Sequence, residues 1–301
     1  MYSILAGNPF QPTPADANPP DRGTIRPISD KPGAAHLTPE SDGPSDALLV
    51  IEIGNSHVAL AQLTGRAVRS VQRCLPDELD ELRAAIEPAW ETLPDDADRQ
   101  VAVGSVVPAV LERVVTIVHE ELHRQPIVIG RDTRLPLSMA IERVETIGVD
   151  RVCAAAAAFE RFEEACAVAS FGTATTIDCV NGEGVFMGGA ILPGLNMQAS
   201  ALHEGTAQLP LVRPHAGVTT YGATTEEAIN NGIVLGAIGA LREIVERYAT
   251  QLSHWPKLVI TGGMSPLLAD ACEFVDAVEP HLVLEGIALA ARRFRSSPGG
   301  P

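Results

Sequence analysis

The residues best placed to do chemistry are a carboxylate and two glycine turns. Glu52 stands near the end of the apolar run Leu48–Ile53, two residues ahead of Gly54-Asn55-Ser56. A second apolar run ends in Ser170-Phe171-Gly172-Thr173-Ala174-Thr175-Thr176. Glycine lets the main chain come close to a ligand, and successive backbone N–H groups can form an anion-binding nest. The Ser and Thr hydroxyls add donors. Two such turns facing each other could hold a triphosphate and its metal from both sides. Taken singly, each is also what an ordinary hairpin turn looks like.

A third group is Gly148-Val149-Asp150-Arg151, at the start of a predicted helix. An Asp in a first turn favours the helix dipole. It could equally take a proton from an attacking hydroxyl, with Arg151 holding an anion. Phosphoryl transfer needs mainly positioning, charge neutralisation and such an acceptor-orienting group. Thr261-Gly262-Gly263 follows the apolar stretch "KLVI". Paired glycines there leave room for a flat adenine or ribose beside the backbone. "GGAILPG", Gly188 to Gly194, could wall the second turn or be a structural turn only.

These groups need elements to hold them. "ALLVIEIG" and "HVALAQL" flank the first turn as a hairpin. "DELDELRAAIEPAWETL" reads as an amphipathic helix broken near Pro88. "QVAVGSVV" is a predicted strand, "PAVLERVVTIVHEELHRQ" a helix opened by Pro108, and "PIVIG" a strand. "GVDRVCAAAAAFERFEEA" is an Ala-rich helix. Then "ACAVASFGTATTIDCVNGEGVFMGGAIL" repeats the opening as strand, glycine turn, strand, turn, strand. A long helix follows from Thr224 or Thr225 as N-cap, with Glu226 and Glu227 in its first turn. "KLVITGG" is a strand and "EGIALAARRFR" a terminal helix. One arrangement thus occurs twice, which predicts two related α/β halves with a cleft between them, where ligands usually bind.

With 301 residues, 46% of them hydrophobic, the chain can bury a sizeable core as one large domain or two ordinary ones. A net charge of -16 without a Lys/Arg cluster argues against nucleic acid as a main partner. The five cysteines are scattered and lack C-x-x-C spacing, so buried reduced thiols are expected rather than a zinc site or disulfides. No apolar run reaches the roughly 18 residues of a membrane span, and the N-terminus does not read as a secretory signal. A cytoplasmic location, away from membranes, is expected. Residues 1–46 hold 9 of the 23 prolines and no periodic apolar pattern. They read as a disordered Pro-rich extension, or as upstream sequence from a misassigned start codon. The tail from Ser296 reads as unstructured too.

The motifs together resemble type III pantothenate kinases, in the superfamily of acetate kinase, sugar kinases and actin. The matching text is "IEIGNS", "GSVVP", "GVDR", "FGTATTIDCV", "GGAILPGL", "TTEEAINNGI", "VITGG" and "LVLEGI", in family order over residues 47–292. The resemblance implies an α/β fold of two ribonuclease-H-like (actin-like ATPase) halves with a central cleft, residues 47–160 and 161–296. It implies a homodimer that transfers the γ-phosphoryl group of ATP to pantothenate, giving 4′-phosphopantothenate, the first step of coenzyme A synthesis. By the same resemblance Gly54, Asn55 and Ser56 form the first phosphate motif, and Gly172, Thr173, Ala174 and Thr175 the second. Asp150 is the general base. Gly148, Arg151 and Thr225 contact pantothenate, and Gly262 and Gly263 lie on the nucleotide side. Mg2+ is required, with a monovalent cation, K+ or NH4+.

Three positions depart from the family pattern. Glu52 stands where the family carries Asp, Ser170 where it carries a second Asp, and Thr224 where it usually has Asn. Glu52 and Ser170 are the expected metal-side positions. Glu keeps the charge but moves it by about one methylene, whereas Ser170 removes a charge, which predicts weak dependence on K+. Besides the pantothenate kinase, two readings stay open. One is a catalytically impaired relative acting as a nucleotide-binding regulatory or interaction protein. The other is a kinase for another small hydroxylated acid.

Overall fold

The computed structural model describes residues 46–94, 98–269 and 271–296. The expectations of an N-terminal extension and of an unstructured tail fall almost wholly outside these residues. Asp46, at the edge, is tied to the body by a 2.5 Å ion pair with Arg292.

The first apolar run forms strand β1 (Ala47–Ile53), buried along its length except at Glu52, which is partly exposed. It pairs antiparallel with β2 (Val58–Thr64), which pairs in turn with β3 (Ala67–Cys74). On its other side β1 runs parallel to β4 (Arg99–Ser105), and β4 to β5 (Ile127–Val128). The order is β3-β2-β1-β4-β5. Strand residues alternate between faces, so odd and even positions of β1 feed two cores. Leu49, Ile51 and Val103 meet helices α1 (Leu79–Glu91) and α2 (Pro108–Leu122) through Leu82, Ile86, Val114 and Val118. Leu48, Val50 and Ala102 meet helices α3 (Val149–Phe162) and α7 (Leu282–Arg295) through Cys153, Leu284, Ile287 and Ala288.

The second sheet repeats this plan. It comprises β6 (Ser138–Met139), β7 (Cys166–Phe171), β8 (Ala174–Val180), β9 (Val185–Pro193), β10 (Lys257–Thr261) and β11 (Ala277–Val278). Its order is β11-β10-β7-β8-β9-β6. Apart from the added edge strand β6, this is the order and pairing sense of the first sheet, with β7 in the place of β1. Helices α4 (Leu195–Glu204), α5 (Thr225–Leu252) and α6 (Ser265–Ala269) cover one face. Ala154, Ala155 and Ala158 of α3 and Leu282 of α7 cover the other. The two sheets are the two ribonuclease-H-like halves, and α3 and α7 are packed between them. The terminal helix α7 follows the second half in sequence yet packs chiefly on the first sheet.

The helix expected to break at Pro88 does not break. α1 runs through Pro88 to Glu91. Proline removes one backbone donor, but buried Ile86 and Ala89 bracket it and hold the last turn on the core. Thr92 closes that turn: its N–H and Oγ1 donate to Pro88 O at 3.3 and 3.1 Å.

Helix α5 begins at the expected cap. Thr224 Oγ1 accepts from Glu227 N at 3.2 Å, and the Glu227 carboxylate accepts from Ala223 N at 2.7 Å and Thr224 N at 3.4 Å. This is a capping box. By length and composition α5 is apolar enough to cross a membrane. Ile229, Ile233, Val234, Leu241 and Val245 are instead buried in the second core. All five cysteines are buried free thiols.

Candidate active site

Glu52 is the penultimate residue of β1, in register with Ala59 of β2 and Gly104 of β4. Ser170 is the penultimate residue of β7, in register with Thr176 of β8 and Thr261 of β10. The departures at the two acid positions of the family pattern therefore occupy equivalent places in the two sheets. Ser170 belongs to a row of three hydroxyl side chains where Glu52 has a carboxylate.

Each strand then turns. Gly54 N donates to His57 O at 3.0 Å, leaving Asn55 and Ser56 exposed at the tip. Gly172 N donates to Ala174 O at 3.1 Å, with Gly172 and Thr173 exposed. The tips meet: Ser56 Oγ and Thr173 Oγ1 lie 2.6 Å apart, a hydrogen bond joining residues 117 positions apart.

The two other glycine motifs close on the second turn. Gly194 N donates to Thr173 O at 3.1 Å, and a Cβ on Gly194 would sit 2.3 Å from Gly172 O. Gly262 has φ +92°, and a Cβ there would lie 2.6 Å from Phe171 O. Met264 N donates to the same oxygen at 3.0 Å. Both positions thus exclude any side chain, whereas Gly263 faces open space. Ala174 is partly buried, and the Thr175 hydroxyl is buried without a hydrogen-bond partner. A buried orphan hydroxyl is costly, and a ligand that bonds it removes the cost.

On the acid side, the first turn of α3 abuts the ends of the first sheet. Val149 packs near Gly104 and Gly130, and Gly148, the N-cap, lies near Val106. Asp150 Oδ1 accepts from Arg151 N at 2.8 Å. The first-turn capping role and a site role are therefore compatible. Burial pushes the Asp150 carboxyl up, against the pull of the Arg151 amide and charge. Burial pushes Glu52 up to about 7, the charge of Asp150 adds to this, and Arg73 draws it down. Burial thus shifts both carboxyls toward the neutral form. Cys153 feels both acids, but burial first of all raises its thiol, which makes it inert.

Arg151 does not point free into solvent. Its Nε lies 3.1 Å from both carboxylate oxygens of Asp178, and its Nη2 lies 2.5 Å from Oδ1. Asp178, in the middle of β8, is not among the residues the sequence points to, although it lies inside "FGTATTIDCV". The signal was available: an acid inside an apolar strand. Arg73 of β3 was missed as well, and it is in register with Ala59 beside Glu52. Thr225 is the first residue of α5 and exposed; its surroundings are the capping box.

Among the described residues, no three His, Cys, Asp or Glu side chains converge as a metal cage. A nucleotide-bound Mg2+ does not need one, since it takes one or two carboxylates plus phosphates and waters. The carboxylate of Glu52, with the charge of Asp150 acting on it, fits that need. The orphan Thr175 hydroxyl and the glycine cradles fit a phosphate chain.

The sequence profile of the family described as type III pantothenate kinase matches residues 48–247. A type III pantothenate kinase of Rhodospirillum rubrum is 33% identical over 253 residues, covering 82% of this chain and 98% of the relative. One of Syntrophotalea carbinolica is 32% identical over 252 residues, covering 80% and 97%. A solved structure of a Baf family protein from Campylobacter jejuni superposes with TM-score 0.56 at 18% identity, over 81% of this chain and 98% of that one, and so shares the fold. By profile, identity and coverage, this chain belongs to the type III pantothenate kinase family.

Proposed function

We propose that this protein phosphorylates pantothenate at the expense of ATP, with the chemistry placed where the two turns meet. The observation that carries this reading is the Ser56–Thr173 contact. It joins one glycine turn from each sheet, with two carboxylates on the adjoining strand and helix ends, Glu52 and Asp150, the charge of Asp150 raising Glu52.

Gly54, Asn55 and Ser56 hold phosphate from one side, and Gly172, Thr173, Ala174 and Thr175 from the other. Gly262 and Gly263 border the nucleotide. Asp150 accepts the proton of the pantothenate hydroxyl as that oxygen takes the γ-phosphoryl group, releasing ADP. Its raised proton affinity suits a general base. Gly148, Arg151 and Thr225 orient the acceptor. Glu52 would hold the divalent cation, Mg2+ in this reading, directly or through water; bound there, the ion neutralises phosphate charge. Ser170 offers only a neutral oxygen to a monovalent cation, so K+ or NH4+ is expected to matter little.

We divide the fold into halves at residues 47–160 and 161–296, a boundary inside α3, with β6 lent to the second sheet and α7 packed chiefly on the first. A homodimer is supported by α5, which exposes Gly232, Leu235, Gly236 and Gly239 along one side. The chain works in the cytoplasm, with neither nucleic acid nor membrane as partner. Purified protein with ATP, Mg2+ and pantothenate should release ADP and 4′-phosphopantothenate. Asp150→Asn should lower kcat by roughly 10²–10⁴-fold with nucleotide affinity nearly unchanged. Absence of turnover in the unmodified protein overturns the reading. Equal loss of turnover and nucleotide binding in the variant would make Asp150 structural.

A further inference from the structure

We propose that Asp178 is a positioning residue for the acceptor: it fixes the guanidinium of Arg151 by one edge and presents the other end to the pantothenate carboxylate. This rests on the assignment of Arg151 as an acceptor contact made above.

Asp178 is 2% exposed. Its carboxylate takes the Nε and Nη2 donors of Arg151, while Nη1 has no partner among the described residues. The guanidinium is a planar fork, so gripping one edge fixes where the remaining donors point. The ring of Phe186 lies beneath it, 6.0 Å from centroid to Cζ. Tyr248 Oη donates to Ile177 O at 2.8 Å and so anchors the preceding residue of β8.

The neighbouring strand leaves space for this arrangement. A Cβ on Gly189 would lie 2.4 Å from Asp178 Oδ1 and 2.2 Å from Ile177 O. Stability alone does not account for the pair. Replacing a buried ion pair with apolar residues of similar volume is often neutral or stabilising. Burial pushes Asp178 up in spite of Arg151, so the carboxylate sits where its charge is disfavoured. The pair is neutral as a unit, so it attracts an acid by directed N–H groups rather than by net charge. That selects a carboxylate of one placement.

The test is a double-mutant cycle on the full-length enzyme with Asp178→Asn, Arg151→Gln and the double variant, read as KM for pantothenate, KM for ATP and kcat. Losing a charge-assisted hydrogen bond's worth of positioning should raise the pantothenate KM about 10- to 100-fold in Asp178→Asn. The ATP KM should change far less, within about threefold, because the ion pair of Asp178 is with Arg151 and its link toward the second turn is a single hydrogen bond with Thr176, beyond the Gly172–Thr175 phosphate motif. The double variant should be no worse than Arg151→Gln alone. If Asp178→Asn fails to fold, Asp178→Glu keeps the charge and displaces the fork, and the same KM split is expected. Additive losses, or equal changes in both KM values, overturn the proposal while leaving the kinase reading intact. An unmodified enzyme that does not turn over pantothenate overturns both.

Discussion

Glu52 carries a charge that its position disfavours. Its carboxyl moves from 4.5 to about 7, chiefly through burial and then through Asp150. The folded chain therefore keeps a proton that the unfolded chain has released, so stability must fall as pH rises through this window. The contribution is intact below about pH 4.5 and fully lost above about pH 7, an effect on the order of 3 kcal/mol for the whole shift. Glu52→Gln removes the titration. Without nucleotide or metal, the variant should match the parent near pH 4.5 and melt several degrees higher near pH 8. A melting difference independent of pH would show that Glu52 does not titrate in this range. Ser170 makes the complementary case. The equivalent position in the second sheet has only Ser170, Thr176 and Thr261, which are hydroxyls without charge. Steady-state rates in Na+, K+ and NH4+ salts should therefore differ little, and Ser170→Asp should create a preference among them. Strong activation of the unmodified enzyme by K+ would refute this.

On the proposed nucleotide side, a short element supplies the testable point in a glycine. Gly262 at the end of β10 combines a left-handed φ of +92° with a backbone oxygen 2.6 Å from where a Cβ would stand. Gly262→Ala must either strain the turn or push it off Phe171, at a cost of about 1–3 kcal/mol. Because the displaced backbone borders Gly172, the ATP KM should rise more than the pantothenate KM, measured by varying each substrate in turn. An unchanged ATP KM with reduced stability would separate this turn from the nucleotide. Elements of this kind were readable in the sequence because glycine pairs after apolar runs are local signals. The same is true of the β1–β2 and β7–β8 hairpins and of the α5 cap. β3 was not read, since "AVRSVQRC" is largely exposed and alternates weakly. α4 was not read either, because only Leu195 and Ala199 of its ten residues are buried. Pro88 reads as a breaker because its local cost is visible in the sequence, whereas the burial of Ile86 and Ala89 that offsets it is not. The Arg151–Asp178 grip and the Ser56–Thr173 contact link residues 27 and 117 positions apart. One sequence carries the participants of such pairs and not the pairing.

The repeated sheets do not behave as two separate bodies, because two helices serve both. Successive residues of α3 divide between the cores: Cys153 enters the first sheet's core, and Ala154, Ala155 and Ala158 enter the second's. Leu284 and Ile287 of α7 join the first, and Leu282 joins the second. The helices cross at Gly286, where a Cβ would stand 1.9 Å from Cys153 O. No side chain fits between two backbones at that distance, so Gly286→Ala must drive α7 from α3. Two consequences follow, one for the cores that α3 joins and one for its first turn. Both cores loosen together, so calorimetry should show one unfolding transition shifted down, since overpacking costs about 1–3 kcal/mol. The first turn of α3, which carries Asp150 and Arg151, also moves against β1. Misplacing a base by about 1 Å can cost roughly 100-fold in rate. Gly286→Ala should accordingly lower kcat even at temperatures where it is fully folded, although Gly286 itself packs against Cys153, one helical turn along α3 from Asp150. Two resolved transitions, or an undiminished kcat in a destabilised variant, would show that the halves are coupled by something other than this helix pair.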